Sequence, residues 1–172
     1  MDDGKEIKNL GAHGNSVYAV AYSPDGKYLA SASADMLVKV WDVAAQKEAK
    51  TLKGHTMAVT GVVFTSDNQS IVSISQDRSV RVWNVGSGME TKKMGPTPDD
   101  LYGIAFSRDG KALATSGYAG NVTVWDLAEG KPTFSKKLKA FGAYCVTFTP
   151  DGKALVTGHD NHGCYVTSIA MP

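Results

Sequence analysis

Three tryptophans, Trp41, Trp83 and Trp125, stand 42 residues apart, and each closes nearly the same phrase. The phrases are Val38-Lys39-Val40-Trp41-Asp42, Val80-Arg81-Val82-Trp83-Asn84 and Val122-Thr123-Val124-Trp125-Asp126. A fixed period of this length means one structural unit repeated along the chain, which constrains the fold more than any single motif. The turn phrases Ser23-Pro24-Asp25-Gly26, Thr65-Ser66-Asp67-Asn68, Ser107-Arg108-Asp109-Gly110 and Thr149-Pro150-Asp151-Gly152 keep the same spacing without insertion or deletion. A fourth unit therefore follows the third, with Thr167 where tryptophan belongs.

Within a unit the pattern is strand, turn, strand, turn, strand. Val17 to Tyr22, Tyr28 to Ser33 and Val38 to Val43 are short runs rich in β-branched, aromatic and small residues. Pro pre-sets a turn angle, Asp bonds its own backbone, and Gly accepts positive φ. Glu48 to Leu52 reads as a weaker fourth strand, and no amphipathic helix is visible. The expectation is an all-β chain. Runs such as Val62-Val63-Phe64 and Ile104-Ala105-Phe106 are apolar on both faces, so each small sheet must be sandwiched between neighbours.

One unit is marginal alone, and a sizeable core requires stacking. The net charge of +1 gives no reason to expect nucleic acid or an anionic membrane. The lysine pairs and clusters, Lys92-Lys93 and Lys136-Lys137-Lys139, read as solvated outer-strand residues that deter edge pairing. No secretory leader and no long apolar run is visible, so a soluble cytoplasmic protein is expected. Cys145 and Cys164 fall on the first and third strands of the fourth unit, about 9 to 10 Å apart, too far for a disulfide. Both read as buried free thiols.

The second unit carries Gly54-His55, Ser73, Asp77 and Trp83-Asn84, and the first carries His13, Ser31, Asp35 and Trp41-Asp42, with its Gly-His pair broken into Gly11-Ala12-His13. In these residues the chain resembles the WD-repeat β-propeller family over nearly its whole length. The resemblance implies four-stranded antiparallel blades, with blade 1 at about 15–52, blade 2 at about 57–94, blade 3 at about 99–138 and blade 4 at about 141–170 of a single domain, 1–172. It also implies a hydrogen-bonded chain in each complete blade: indole to Ser hydroxyl, hydroxyl to His, His to Asp. The residue types suit this, because indole only donates, a hydroxyl relays, imidazole does both, and carboxylate only accepts. A Ser-His-Asp set that recurs per repeat, capped by Trp, is structural rather than hydrolytic. Blade 3 keeps Thr115 and Trp125 but has Thr97 and Ala119 in place of His and Asp; blade 4 keeps Thr157 but has Lys139, Asn161 and Thr167. Losing such partners together can be nearly neutral, whereas losing one strands a buried group.

A second column keeps the same period: Tyr18, Thr60, Tyr102 and Tyr144. The resemblance implies that this column points to the top rim of the propeller, where partners bind. Two further classes go with it: Ser16, Ala58, Asp100 and Gly142, and Ala34, Gln76, Tyr118 and Asp160. The candidate partner-binding residues are thus Tyr18, Thr60, Tyr102, Tyr144, Tyr118, Gln76, Asp100, Asp160 and Ser16. Tyrosine anchors interfaces because its large ring packs while its hydroxyl stays wet. His159-Asp160-Asn161-His162 with Cys164 lacks the converging ligands of a zinc site and reads as an exposed polar turn. No metal and no cofactor are expected.

Lys5 to Leu10 resembles the outer strand of a preceding blade, while the fourth unit ends after its third strand. The resemblance implies offset closure, in which the first strand completes the last blade. A four-bladed ring, two chains forming an eight-bladed ring, or a part of a longer propeller would each satisfy this. The homodimeric eight-bladed ring best removes the apolar sides of blades 1 and 4 from water. The functional expectation is a non-enzymatic protein-interaction scaffold with a protein or peptide partner. The alternatives are a purely structural part of a larger protein and a channel-binding small-molecule module; no nucleophile, acid pair or phosphate loop supports an enzyme.

Overall fold

A computed structural model describes residues 8–169, and every regular element among them is a strand. Blade 1 is β1 (Val17–Tyr22), β2 (Tyr28–Ser33), β3 (Leu37–Asp42) and β4 (Lys47–Lys53). Blade 2 is β5 (Val59–Phe64), β6 (Ser70–Ser75), β7 (Val80–Asn84) and β8 (Glu90–Met94). Blade 3 is β9 (Leu101–Phe106), β10 (Ala112–Gly117), β11 (Asn121–Asp126) and β12 (Lys131–Lys137). Blade 4 has three strands among the described residues, β13 (Ala143–Phe148), β14 (Ala154–His159) and β15 (Cys164–Ser168). All pairings are antiparallel meanders in chain order. Of the expected first strand, Lys8 to Leu10 form none, and Lys5 to Ile7 lie outside the described residues.

The turn phrases explain the tight link between the first two strands of each blade. Asp25, Asp67, Asp109 and Asp151 each accept a backbone N–H two residues on, at 2.9–3.1 Å. Each also accepts the hydroxyl two residues before it. The next turn residue has φ near +70° in three blades, supplied by Gly26, Gly110 and Gly152, and Asn68 takes the position at φ 61° in the second. Only Gly, or Asn at small cost, accepts this backbone.

Side chains directly opposite one another share a face of the sheet. Leu29 lies opposite Trp41, Ile71 opposite Trp83 and Leu113 opposite Trp125. Ala30 lies opposite Val40, Val72 opposite Val82 and Ala114 opposite Val124, on the other face. In blades 2 and 3 the Trp face, and in blade 4 the equivalent face, packs on the Val face of the blade before it. Thus Val62, Phe64, Ile71 and Trp83 of blade 2 share one buried cluster with Ala30, Val38 and Val40 of blade 1. The second cluster joins blades 2 and 3, and the third joins blades 3 and 4. Burying each Val, Leu or Ile there stabilises by about 1.5–3 kcal/mol relative to exposure.

No apolar cluster joins blade 4 to blade 1 among the described residues. The Trp face of blade 1 leaves Val20 and Tyr22 each 63% exposed, and the Val face of blade 4 leaves Val166 69% exposed. This overturns the expectation for the thiols. Cys145 and Cys164 are free and exposed, because they flank Gly158 on that uncovered face.

Candidate partner-binding rim

The tyrosine column owes its direction to a backbone irregularity. In every blade the first strand slips by one residue near its start. Val17 pairs with Ser33 and Ala19 with Ala32, so Tyr18 has no partner. The same slip leaves Thr60 between Val59 and Gly61, Tyr102 between Leu101 and Gly103, and Tyr144 between Ala143 and Cys145. These are β-bulges, which bend the strand and re-aim the extra side chain. The column is therefore the set of bulge residues, one per blade.

Five of the candidate side chains come together on blades 2 to 4. The Tyr102 ring meets that of Tyr144 edge-on at 5.4 Å and that of Tyr118 at 6.4 Å. Gln76 donates from its amide nitrogen to the Tyr102 hydroxyl at 2.8 Å. Asp160 and Tyr144 both border Gly142, where an added β-carbon would meet the Asp160 carboxyl at 2.7 Å and the Tyr144 ring at 2.9 Å. Partial burial and the adjacent Asp160 carboxylate, with the two neighbouring phenols, push the Tyr144 hydroxyl above its ordinary value. Tyr118 and Tyr144 remain 56% and 43% exposed. Asp100 is half-buried and takes the Arg78 guanidinium at 3.2 Å.

The other candidates stand apart. Tyr18 and Ser16 are exposed on blade 1, and no aromatic contact joins Tyr18 to the cluster among the described residues. Thr60 is buried, which corrects its place on the rim. Its hydroxyl donates to the Leu101 carbonyl of the next blade at 2.7 Å and acts as a strut between blades. A threonine is short enough to turn inward where a tyrosine cannot.

Under the rim lie the polar chains. In blade 1 the Trp41 indole donates to Ser31 at 2.8 Å, His13 Nε2 meets Ser31 at 2.7 Å, and His13 Nδ1 meets Asp35 at 2.9 Å. In blade 2 the same links are Trp83 to Ser73 at 2.9 Å, Ser73 to His55 at 2.8 Å and His55 to Asp77 at 2.9 Å. A carboxylate only accepts, so Nδ1 carries the proton and Nε2 accepts the Ser hydroxyl. Each Asp also accepts the backbone N–H after the His, from Gly14 and Thr56. The chain thereby ties the two rim loops of a blade together.

Blades 3 and 4 tie the same loops with different atoms. In blades 1 and 2, Ser33 donates to the Asn15 carbonyl and Ser75 to the Met57 carbonyl. The equivalent pair in blade 4 is His159 and Phe141, whose carbonyl accepts from His159 Nδ1 at 3.0 Å. His159 Nε2 meets Thr157 at 2.8 Å, and the ring packs edge-on against Tyr165 at 4.9 Å. His159 is thus a buried strand residue, which corrects its assignment to an exposed turn; Asp160, Asn161 and His162 are the exposed ones. In blade 3 the equivalent pair is Gly117 and Asp99. The buried Asp99 accepts the Ala119 N–H at 2.6 Å, and its other oxygen fills the space where a side chain on Gly117 would sit. Asp99 and His159 escaped motif reading because they stand outside the motif positions. The period does register them, at the places of Asn15 and Ser33.

The sequence model described as "WD domain, G-beta repeat" matches residues 4–42, 46–84, 91–126 and 133–170. The chain belongs to the WD-repeat family. It is similar to WD repeat-containing protein AAC3 of Dictyostelium discoideum, 46% identical over 39 residues, which is 23% of this chain and 8% of that protein. It is also similar to WD repeat-containing protein 1 of Xenopus tropicalis and of Gallus gallus, 49% and 44% identical over 45 residues. Those stretches cover 24% of this chain and 7% of each relative. WD repeats act generally in protein–protein interaction and are typically non-enzymatic. No helix among the described residues is long and apolar enough to cross a membrane.

Proposed function

We propose that this WD-repeat chain is a protein-interaction scaffold whose partner contacts the Tyr102–Tyr118–Tyr144 cluster with Gln76, Asp100 and Asp160. The observation that carries this reading is the bulge in the first strand of blades 3 and 4, which turns Tyr102 and Tyr144 towards each other beside Tyr118. Three exposed or half-exposed phenols then meet without an internal packing duty. Such rings anchor interfaces at low entropic cost. Replacing Tyr102 and Tyr144 with alanine should abolish capture of the partner on the immobilised chain. The thermal midpoint should stay nearly unchanged, because neither ring is in an apolar cluster between blades. Undiminished capture by the double variant would sink the reading.

The scaffold works, in the same proposal, as half of an eight-bladed ring made by two copies. Val20, Tyr22 and Leu29 on the open face of blade 1 are the counterparts of Val62, Phe64 and Ile71, which pack on blade 1 from blade 2. Val156 and Val166 on the open face of blade 4 are the counterparts of Ala30 and Val40, which receive them. Two such junctions about a twofold axis cover all four faces. The solution mass should be about twice 18.2 kDa, and Val166→Asp should return it to one chain. A stable mass of one chain for the unaltered protein would refute pairing while leaving the rim reading intact.

A further inference from the structure

We infer that the rim cluster receives a cationic side chain, a lysine or arginine of the partner polypeptide, over its phenol rings and against the Asp160 carboxylate. This rests on the rim reading above and gives it a chemistry. The ring faces of three neighbouring tyrosines carry the negative lobe of the aromatic quadrupole, which attracts an ammonium or guanidinium within about 6 Å. Their centroids are 5.4 and 6.4 Å from the Tyr102 ring, so a cation above one ring is also near another. Asp160 is exposed in the turn after β14 and, like the Tyr144 ring, lies against Gly142, which puts a full negative charge near the rings. Among the described residues it has no ion-pair partner, whereas Asp100 is already held by Arg78.

The surroundings favour the same sign. Tyr144 resists ionisation, first because it is partly withdrawn from water and then because the Asp160 carboxylate lies near it. Next to the cluster the chain itself makes this contact, with Lys137 Nζ 5.8 Å from the centre of the exposed Phe141 ring. An acidic partner group would meet the Asp160 and Asp100 carboxylates, while the cations nearby are already engaged, Arg78 with Asp100 and Lys137 over the Phe141 ring. An aliphatic one would leave the carboxylate unused.

The test follows the ring resonances of Tyr102, Tyr118 and Tyr144 by NMR while three capped tripeptides are added, Gly-Arg-Gly, Gly-Glu-Gly and Gly-Leu-Gly. The arginine peptide should shift all three rings. Asp160→Asn and Tyr118→Leu should each weaken it about three- to fivefold, and raised salt should weaken it further in the unaltered chain than in Asp160→Asn. Equal shifts with the leucine or glutamate peptide would overturn the cationic preference and leave the rim a binding surface. Shifts from the arginine peptide that Asp160→Asn does not change would overturn the role of the carboxylate. No shift from any peptide, in a chain whose partner capture still depends on Tyr102 and Tyr144, would also overturn the cation and spare the rim.

Discussion

Replacing Asp77 with alanine is expected to cost about 3 kcal/mol of unfolding free energy, read by urea unfolding with tryptophan fluorescence. The carboxylate accepts from His55 Nδ1 at 2.9 Å, Thr56 N–H at 3.0 Å, and the Ser79 N–H and hydroxyl at 3.0 and 2.6 Å. Its side chain is 5% exposed and that of His55 is 1%. Alanine leaves the His55 N–H buried with no carboxylate, and water reaches the site poorly. Asp35 in blade 1 is the control. It has a similar set of bonds, but its blade is covered on one face only and its side chain is more exposed. Asp35→Ala should cost less, about 1–2 kcal/mol. Equal losses at the two sites would show that burial is not what makes the Asp77 chain strong.

The same site sets a pH dependence. Burial pushes the Asp77 carboxyl up, but the bonds from Ser79, His55 and Thr56 together outweigh it and hold the group at about 2. Burial is also the main cause that lowers the His55 imidazole, and it prevails over the pull of Asp77. Both groups therefore bind fewer protons folded than unfolded, and stability rises with pH through their windows. The His55 contribution is complete above the unfolded value of 6.5 and is lost as pH falls below it. The Asp77 contribution is present above 3.8 and is lost as pH falls towards about 2. The thermal midpoint should fall steadily from pH 7 to pH 3, and less steeply below pH 4 in Asp77→Ala.

Gly120→Ala should be nearly as damaging, at roughly 3 kcal/mol, and should weaken the rim as well. Gly120 has φ +84°, and an added methyl would lie 2.2 Å from the Ala140 carbonyl oxygen. That oxygen belongs to backbone, so the loop itself must shift. The turn it would disturb presents Tyr118, whose carbonyl accepts the Gly142 N–H at 2.7 Å. Gly26 separates the two costs. It has φ +72° but open space around it, so Gly26→Ala should cost only the backbone penalty, about 1–2 kcal/mol. Thermal unfolding of both variants decides it. Equal losses would mean that steric contact adds nothing at Gly120.

Much of the architecture was legible because it repeats. Each strand phrase is short, β-branched and punctuated by an Asp-Gly or Asp-Asn turn, and the period places its counterpart without ambiguity. The motif residues His13, Ser31, Asp35 and Trp41, and likewise His55, Ser73, Asp77 and Trp83, can be paired on paper because their donor and acceptor roles are complementary. The rim was legible only as a column of positions. That Thr60 turns inward to the Leu101 carbonyl while Tyr102 and Tyr144 meet ring to ring depends on side-chain length and on the adjoining blade. Asp99 and His159 stand at the places of Asn15 and Ser33, outside the motif positions, so no motif could point to them.

What the chain determines by itself is the unit: a 42-residue period, its strands, its turns, and the polar chains of the first two blades. These follow from local backbone preference and from the donor and acceptor inventory of a few side chains. Only the tertiary structure decided which faces are covered, and so why Cys145 and Cys164 are exposed while the Val and Trp faces of the inner blades are dry. It alone also revealed the bulges that turn the tyrosines outward. Register slips and burial are set by contacts between strands and blades far apart in sequence, and no local pattern encodes them.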